Sequence, residues 1–458
     1  MHSADWSLIG LGLVSVGLAI RGLFRPFLGL LVLMTLHFIQ PSEWVPALAP
    51  FRIELTYGIL MLLLLLRTKA GSILTILKTN PIVRATMGLE VVVLVTIPLS
   101  IWPGGAFAEA TELSKMIMLQ ILMTFFIDTE ARLRSILWLL VGFLLWFAGS
   151  SFSAYLHGQY YIVNGVQRIQ GVNSMVGDPN ALAGLLLALL PFLVALIRCS
   201  KNFLIKLLLM ACGGMVLSAL LLTGARISLL ALVPVVIFYI LQSKRKILGL
   251  TAAVVLALVV WFSLPAQYQK RYLTVKTYAE GGQLDDSNKL RLAIWDAGWR
   301  MFLDHPFLGV GAGQFSTAYG MVYSRQIHHA WMQPHSLFLQ VTCELGLVGL
   351  LAFGNLIVQI WRANRKLMKF KTFPQYNTIY QFALACSLMM IGIAVVSSVS
   401  HTLYRPYWYL LAGMVAANRR IADAMQNPAP GSIELAEDDF KSCALYGLQR
   451  ATAKDESI

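Results

Sequence analysis

The sequence predicts an all-α polytopic membrane protein with about 12 (12–13) transmembrane helices and one long external loop containing amphipathic helices. Three observations predict this. The first is composition: of 458 residues, 57% are hydrophobic and 13% charged, with mean hydropathy +0.68. Soluble domains carry about a quarter charged residues. The second is the recurrence of apolar runs of bilayer length from residue 8 to residue 415, with little of the strand alternation a β-barrel needs. The third is charge placement. The net charge of +14 is spread over short links between the runs, as the bias of cytoplasmic loops toward Lys and Arg requires. So distributed, it speaks for membrane topology, and no nucleic-acid partner is expected.

Each run can be placed by where Arg and Lys collect. Run 8–20 ends at Arg21 and Arg25, and 26–40 returns to the outside, where 41–52 is a short link. Run 55–66 leads in to Arg67, Lys69, Lys78 and Arg84. Runs 87–102 and 113–127 go out and back to Arg132 and Arg134, and 135–155 goes out again. The polar stretch 156–177 is external, and 181–197 returns to Arg198, Lys201 and Lys206. Runs 207–222 and 227–241 form a tight hairpin that ends at Lys244, Arg245 and Lys246. Run 247–264 leads out to the long loop, and 336–361 comes back to the basic stretch 362–371. Runs 376–399 and 404–417 complete the bundle. Four regions follow: transmembrane helices over 1–264, an external loop over 265–334 (periplasmic on the resemblance given below), transmembrane helices over 335–417 and a polar cytoplasmic tail over 418–458.

Residues 1–6 lack a basic region before the first apolar run, so that run is expected to stay as a helix and not to be cleaved. Five cysteines (Cys199, Cys212, Cys343, Cys386, Cys443) show no metal-ligand spacing. Four lie in or beside apolar segments, which argues against a disulfide framework. No zinc spacing, Walker motif, nucleophile elbow or Asp-rich cluster occurs, so metal-independent chemistry without a cofactor is expected. The run Gly309, Val310, Gly311, Ala312, Gly313 superficially suggests a nucleotide loop, but it lacks the βαβ context that reading needs.

A loop as long as 265–334 is expected to carry function. Outside the cytoplasm, Arg and His gain nothing from loop charge bias, so those at external membrane boundaries are the candidates. Arg168 precedes Asp178, Pro179 and Asn180, a capped helix entry. It reads equally as a solvated turn residue. Arg226 sits in a hairpin too short to reach far into water; it should snorkel or pair with an anion. Over 288–303, Arg291, Trp295, Trp299 and Phe302 share one side of a helix, and Leu290, Ile294, Ala297 and Met301 form an adjacent stripe. Such a helix would lie on the membrane with Trp at headgroup depth, and interfacial anchoring explains the Trp pair better than sugar stacking. Arg291 beside those rings could grip a phosphate.

The fourth candidate lies in 328–354, where Pro334, His335 and Ser336 read as a helix start. An imidazole there is placed for proton transfer, though an interfacial His before a membrane helix is often ordinary. Glu344 would lie on the opposite face of a straight helix and is better read as a packing residue than as a partner orienting His335. Gly346, Gly349 and Gly354 suggest close helix approach.

Together these motifs resemble the O-antigen ligase superfamily. The likeness covers 168–417 and rests on their order: Arg168, then Asp178 to Ala183, Leu222 to Arg226, Arg291 and Trp295, His305 to Phe315, and His335 to Gly349. Arg21 to Gly29 also resembles the O-glycosylation ligase branch associated with exosortase systems. The resemblance implies a GT-C-like glycosyltransferase of the bacterial inner membrane, with its active site facing the periplasm. It would move a glycan from undecaprenyl pyrophosphate to an acceptor hydroxyl, foremost lipid A–core oligosaccharide in lipopolysaccharide biosynthesis. Membrane lipids would surround it. His335 would be the base, Arg226 and Arg291 would hold the donor pyrophosphate with Arg168 assisting, and Asn180, Ser336 and Trp295 would support. The usual Ser before the second Arg is Ala225 here, which puts a hydroxyl contact there in doubt. An O-antigen polymerase or a protein O-glycosylation ligase differs in acceptor alone. A transporter or flippase would place ionisable residues near mid-membrane and show internal repeats, which this chain does not.

Overall fold

The computed structural model describes residues 15–163, 165–270, 272, 286–324 and 331–427. Local chemistry starts its helices. Pro26, Pro81, Pro103, Pro179 and Pro406 stand in the first turns of five of them, where a missing N–H is tolerated. Asn80, Thr129, Asp178, Asn202 and Ser336 accept capping hydrogen bonds at five N-termini.

The chain runs through α1 (Ser15–Phe24), α2 (Pro26–Ile39), α3 (Ile53–Thr79), α4 (Pro81–Thr96), α5 (Pro103–Phe126) and α6 (Glu130–Leu156). A small antiparallel hairpin follows, β1 (Tyr161–Val163) and β2 (Val166–Arg168), with Tyr161 opposite Arg168. Next come α7 (Pro179–Cys199), α8 (Phe203–Leu222), α9 (Arg226–Gln242), α10 (Lys246–Ser263), α11 (Asp286–Asp304), α12 (Leu337–Leu367), α13 (Asn377–Ser397) and α14 (Pro406–Gln426). Among the described residues that hairpin is the whole of the sheet structure, so the all-α expectation holds.

Among the described residues, seven helical stretches are long and apolar enough to cross a membrane, and four further apolar helices are shorter. Helices α5 and α14 fall outside both groups. The first carries Glu109, Glu112 and Lys115, and the second carries Arg419, Arg420 and Asp423 near its end. Yet α14 is deeply enclosed, buried on every side from Pro406 to Asn418. Its small residues let neighbours close in: a Cβ on Gly413 would sit 3.2 Å from the Gln120 Cα of α5. Around it, α7 packs on α6 and α13, and α12 on α4 and α14.

Three helices run between two polar cavities at opposite ends of this bundle. At one end Glu54 of α3, Gln340 and Glu344 of α12 and Pro406 of α14 share a cavity of about 360 Å³. At the other, the far ends of the same helices line a cavity of about 840 Å³ with Arg362, Arg365, Lys366, Lys369, Arg419 and Arg420. Basic residues of the 362–371 stretch and of the segment after residue 418 therefore meet at one end.

Helix α12 is broken. Gly346 has φ 64° and ψ −161°, a region essentially reserved for glycine. The segment 306–311 lies in the break and bonds to it: Val310 N–H donates to the Cys343 carbonyl at 2.8 Å, Gly311 N–H to that of Glu344 at 3.0 Å, and Leu347 N–H to that of Pro306 at 2.8 Å. The expectation of close helix approach through Gly346, Gly349 and Gly354 is thus corrected. Gly346 admits a loop, Gly349 sits over the Leu345 side chain, and Gly354 faces open space. A Cβ at position 346 would lie 2.3 Å from the Phe307 carbonyl carbon. Gly346→Ala is therefore expected to cost at least about 1–3 kcal/mol, read as a lowered melting temperature of the purified protein in detergent. An unchanged melting temperature would show that the break is not held as described.

Candidate functional site

His335 stands just ahead of α12, in a left-handed backbone conformation (φ 48°) that is uncommon outside glycine. Ser336 behind it is the N-cap and accepts from Leu339 N–H. The capped start expected from Pro334, His335 and Ser336 is there, with a twist that turns the imidazole out of the helix line. Strain of this kind is kept where the surroundings over-determine it. Residues 328 and 329, whose imidazoles belong to the same stretch of sequence, lie outside the described residues.

The His335 ring meets that of His401 edge to face, with centroids 5.9 Å apart. His401 lies in the short link between α13 and α14, and that link is tied on several sides. Leu403 N–H donates to Gln340 Oε1 at 3.1 Å, Arg405 donates to the Met175 carbonyl at 3.0 Å, and Thr402 bonds Ser397 and Trp408. Both imidazoles are held toward the neutral form. Burial lowers the pKa of His335, Arg291 adds to the effect, and Asp178 opposes it. Burial, Arg405 and His335 push His401 down to about 4, again against Asp178. Four segments distant in sequence therefore face one another: the N-cap of α7, helix α11, the start of α12 and the link before α14.

Asp178 caps α7 by accepting from Asn180 N–H and Ala181 N–H at 2.8 and 3.2 Å. Asn180 in turn accepts from Arg168 at 2.9 Å, and Arg168 Nε donates to the Thr223 carbonyl at 2.5 Å. Arg168 is buried, at 3% exposure, so it is no solvated turn residue. It clamps β2 to the hairpin that presents Arg226. In that hairpin Gly224 has φ 61°, and Tyr272 donates to the Leu221 carbonyl at 2.7 Å. Arg226 then opens α9, half-buried.

Helix α11 shows both stripes expected of it. Ile294, Ala297 and Met301 are buried against Phe315, Tyr319 and Cys343, while Trp295 and Trp299 are 39% and 55% exposed. Packing is close, since Cys343 Sγ donates to the Gly298 carbonyl at 3.0 Å. This fixes Arg291 near His335.

Glu344 does not reach His335. Its carboxylate accepts from Gly313 N–H at 3.0 Å and bonds Tyr404, whose hydroxyl also takes a bond from Gly313 N–H. That agrees with a packing role, and it also explains the glycine-rich run 309–313 as a structural loop seated in the break of α12.

Sequence reasoning missed His401 and Arg405. The signal was available: both lie in an external link at a membrane boundary, the criterion that selected Arg168, Arg226, Arg291 and His335. Missed as well were Glu54, Glu109, Glu112 and Lys115, which line the 360 Å³ cavity beside His401.

Residues 211–354 match the family model described as O-antigen ligase. That span contains Arg226, Arg291, Trp295, His335 and Ser336, whereas Arg168, Asn180 and His401 fall outside it. No curated protein matches the chain.

The depressed His401 pKa sets a stability test. Unfolded, its imidazole titrates near 6.5 and folded near 4, so below about pH 6.5 the unfolded chain binds a proton that the folded chain refuses. Stability is full above pH 6.5 and is lost as pH falls toward 4. His401→Gln should flatten the fall in melting temperature over that interval, leaving the smaller part due to His335; an identical profile would rule out the buried neutral imidazole.

Proposed function

We propose that the chain, whose residues 211–354 match the O-antigen ligase family model, is a member of the O-antigen ligase superfamily and a membrane glycosyltransferase that moves a glycan from undecaprenyl pyrophosphate to an acceptor hydroxyl. The observation that carries this reading is the placement of a half-buried His335, its pKa lowered by burial and then by Arg291, at one end of a helical bundle. Lipid A–core oligosaccharide is the proposed acceptor, in lipopolysaccharide biosynthesis at the bacterial inner membrane, with 12 or 13 crossings and the site facing the periplasm.

Pyrophosphate is already an activated leaving group, so catalysis needs little beyond positioning, cations around the departing charge and a base opposite it. The acceptor oxygen attacks the anomeric carbon as His335 takes the hydroxyl proton. The bond from that carbon to the phosphate oxygen breaks, and its electron pair leaves with undecaprenyl pyrophosphate. Arg226 and Arg291 offset the charge that develops there. Arg168 assists indirectly, by holding the hairpin that carries Arg226, and Asn180 and Ser336 position their neighbours. Trp295 sits beyond Arg291 at headgroup depth, in contact with membrane lipid. A lowered His335 pKa keeps the base unprotonated below the ordinary imidazole range. The displacement is metal-independent and inverts the donor carbon, in a GT-C-like arrangement.

The test is reconstitution with an undecaprenyl-pyrophosphate glycan and candidate acceptors. Transfer to lipid A–core is expected; lengthening of the lipid-linked glycan would instead identify a polymerase, and transfer to protein an O-glycosylation ligase. His335→Ala should lower turnover by about 10²–10⁴-fold while donor binding persists. Arg226→Ala and Arg291→Ala should weaken donor binding, and unchanged affinity and rate in both would end the pyrophosphate assignment. The acid limb of the pH–rate profile should lie below about 6.5, the ordinary imidazole value.

A further inference from the structure

The cavity of about 840 Å³ lies at the opposite end of the bundle from the one that His401 lines. We propose that it binds the phosphate headgroup of an anionic phospholipid, drawn from the membrane leaflet at that end. The proposal goes beyond the transferase reading and is independent of it, since it needs only a membrane-spanning bundle.

Like charges converge there from separate parts of the chain. Arg362, Arg365 and Lys366 come from the last turns of α12, Lys369 from just beyond it, and Arg419 and Arg420 from α14. The bias of links on one side of a membrane toward Lys and Arg accounts for basic residues beside a helix end. The run Lys244, Arg245 and Lys246 is of that kind. That bias does not account for two distant segments turning their cations into one concave space, where they repel one another. A bound anion removes the repulsion.

The cavity has little negative charge of its own. Asp423 is the one carboxylate on its walls, and Arg419 already holds both oxygens, at 2.8 and 2.7 Å. Among the described residues no carboxylate pairs with Arg362, Arg365, Lys366 or Lys369. Two of the guanidinium groups are nevertheless held in place. Arg420 donates to the Phe125 carbonyl at 3.0 Å, and Arg365 lies 5.2 Å from the centre of the Trp361 ring, a cation–π contact. A phosphodiester brings a negative charge and acceptor oxygens that guanidinium and ammonium groups complement.

An apolar path leads to these cations. Leu351, Val358 and Trp361 are exposed on one face of α12 at helical spacing, and Arg362 and Arg365 end the stripe. From position 351 to 361 the helix rises about 15 Å, half of the roughly 30 Å hydrocarbon core. Acyl chains of one leaflet can therefore lie along the stripe, with Trp361 at headgroup depth and the phosphate among the cations. A soluble phosphate has no use for such a stripe, which selects a lipid.

The experiment is native mass spectrometry of the full chain in detergent, with cardiolipin, phosphatidylglycerol, phosphatidylcholine and inorganic phosphate supplied one at a time. Cardiolipin or phosphatidylglycerol should stay bound under conditions that strip phosphatidylcholine and inorganic phosphate. Combining Arg362→Gln, Lys366→Gln and Lys369→Gln should weaken that binding about ten- to a hundredfold. Combining Lys244→Gln, Arg245→Gln and Lys246→Gln removes the same charge from another link and should leave it unchanged. Every residue changed in the two triples is exposed, so neither variant disturbs the core. Failure of both anionic lipids to bind, or equal losses in the two triples, overturns the proposal; equal losses would mark an attraction of surface charge in general. Phosphatidylcholine or inorganic phosphate held as tightly as the anionic lipids overturns it as well, the latter by marking a soluble-anion site. Changing Glu434, Glu437, Asp438 and Asp439 to their amides should leave lipid binding as it was. A gain of tenfold or more would make that acidic segment the occupant and overturn the lipid assignment.

Discussion

Backbone polar groups inside an apolar bundle must find partners, and the break in α12 is where that constraint organises the molecule. A helix interrupted at Gly346 frees carbonyls and amides on both flanks. The segment 306–311 supplies the missing partners, bonding across Cys343, Glu344, Leu347 and Val348. Only glycine serves at the contact, because the Phe307 carbonyl occupies the place of a Cβ.

The break then sets what stands above it. It lets the first turns of α12, with Gln340 and Glu344, leave the line of the helix below. Glu344 binds the glycine loop through Gly313 and the α13–α14 link through Tyr404, while Gln340 holds Leu403. His335 and His401 are brought ring to ring by those same attachments. Helix α11 joins from outside, its buried stripe packed on Phe315, Tyr319 and Cys343, and so carries Arg291 toward His335. The two polar environments on either side of the imidazoles differ in kind. Arg291 of α11 acts on His335, whereas the cavity lined by His401 carries four carboxylates with Lys115 and Arg405.

Much of the local structure was legible. Asp178, Pro179 and Asn180 read as a capped entry and are one; Ser336 reads as an N-cap and is one. The two stripes of α11 followed from helical spacing, and burial of Ile294, Ala297 and Met301 against exposed Trp295 and Trp299 matches them. Glycine was read less well. Spacing suggested helix approach at Gly346, because a sequence does not reveal that a distant loop will enter between successive turns. The run 309–313 resembled a ligand loop for the same reason, since its partner is the break itself.

By itself, the sequence determined the all-α membrane class and the residues at which helices begin, because each depends on composition, periodicity or a few adjacent side chains. It also singled out the external arginines and His335, through the rule that such charges lack a topological excuse. Only the tertiary structure decided which of them meet. That Arg168 clamps the Arg226 hairpin, that His401 faces His335, and that charges from α3, α5, α12 and the α13–α14 link surround one cavity are facts about contacts between residues far apart in the chain. Their juxtaposition comes from satisfying backbone and carboxylate groups at the break in α12, and nothing local to any of those residues encodes it.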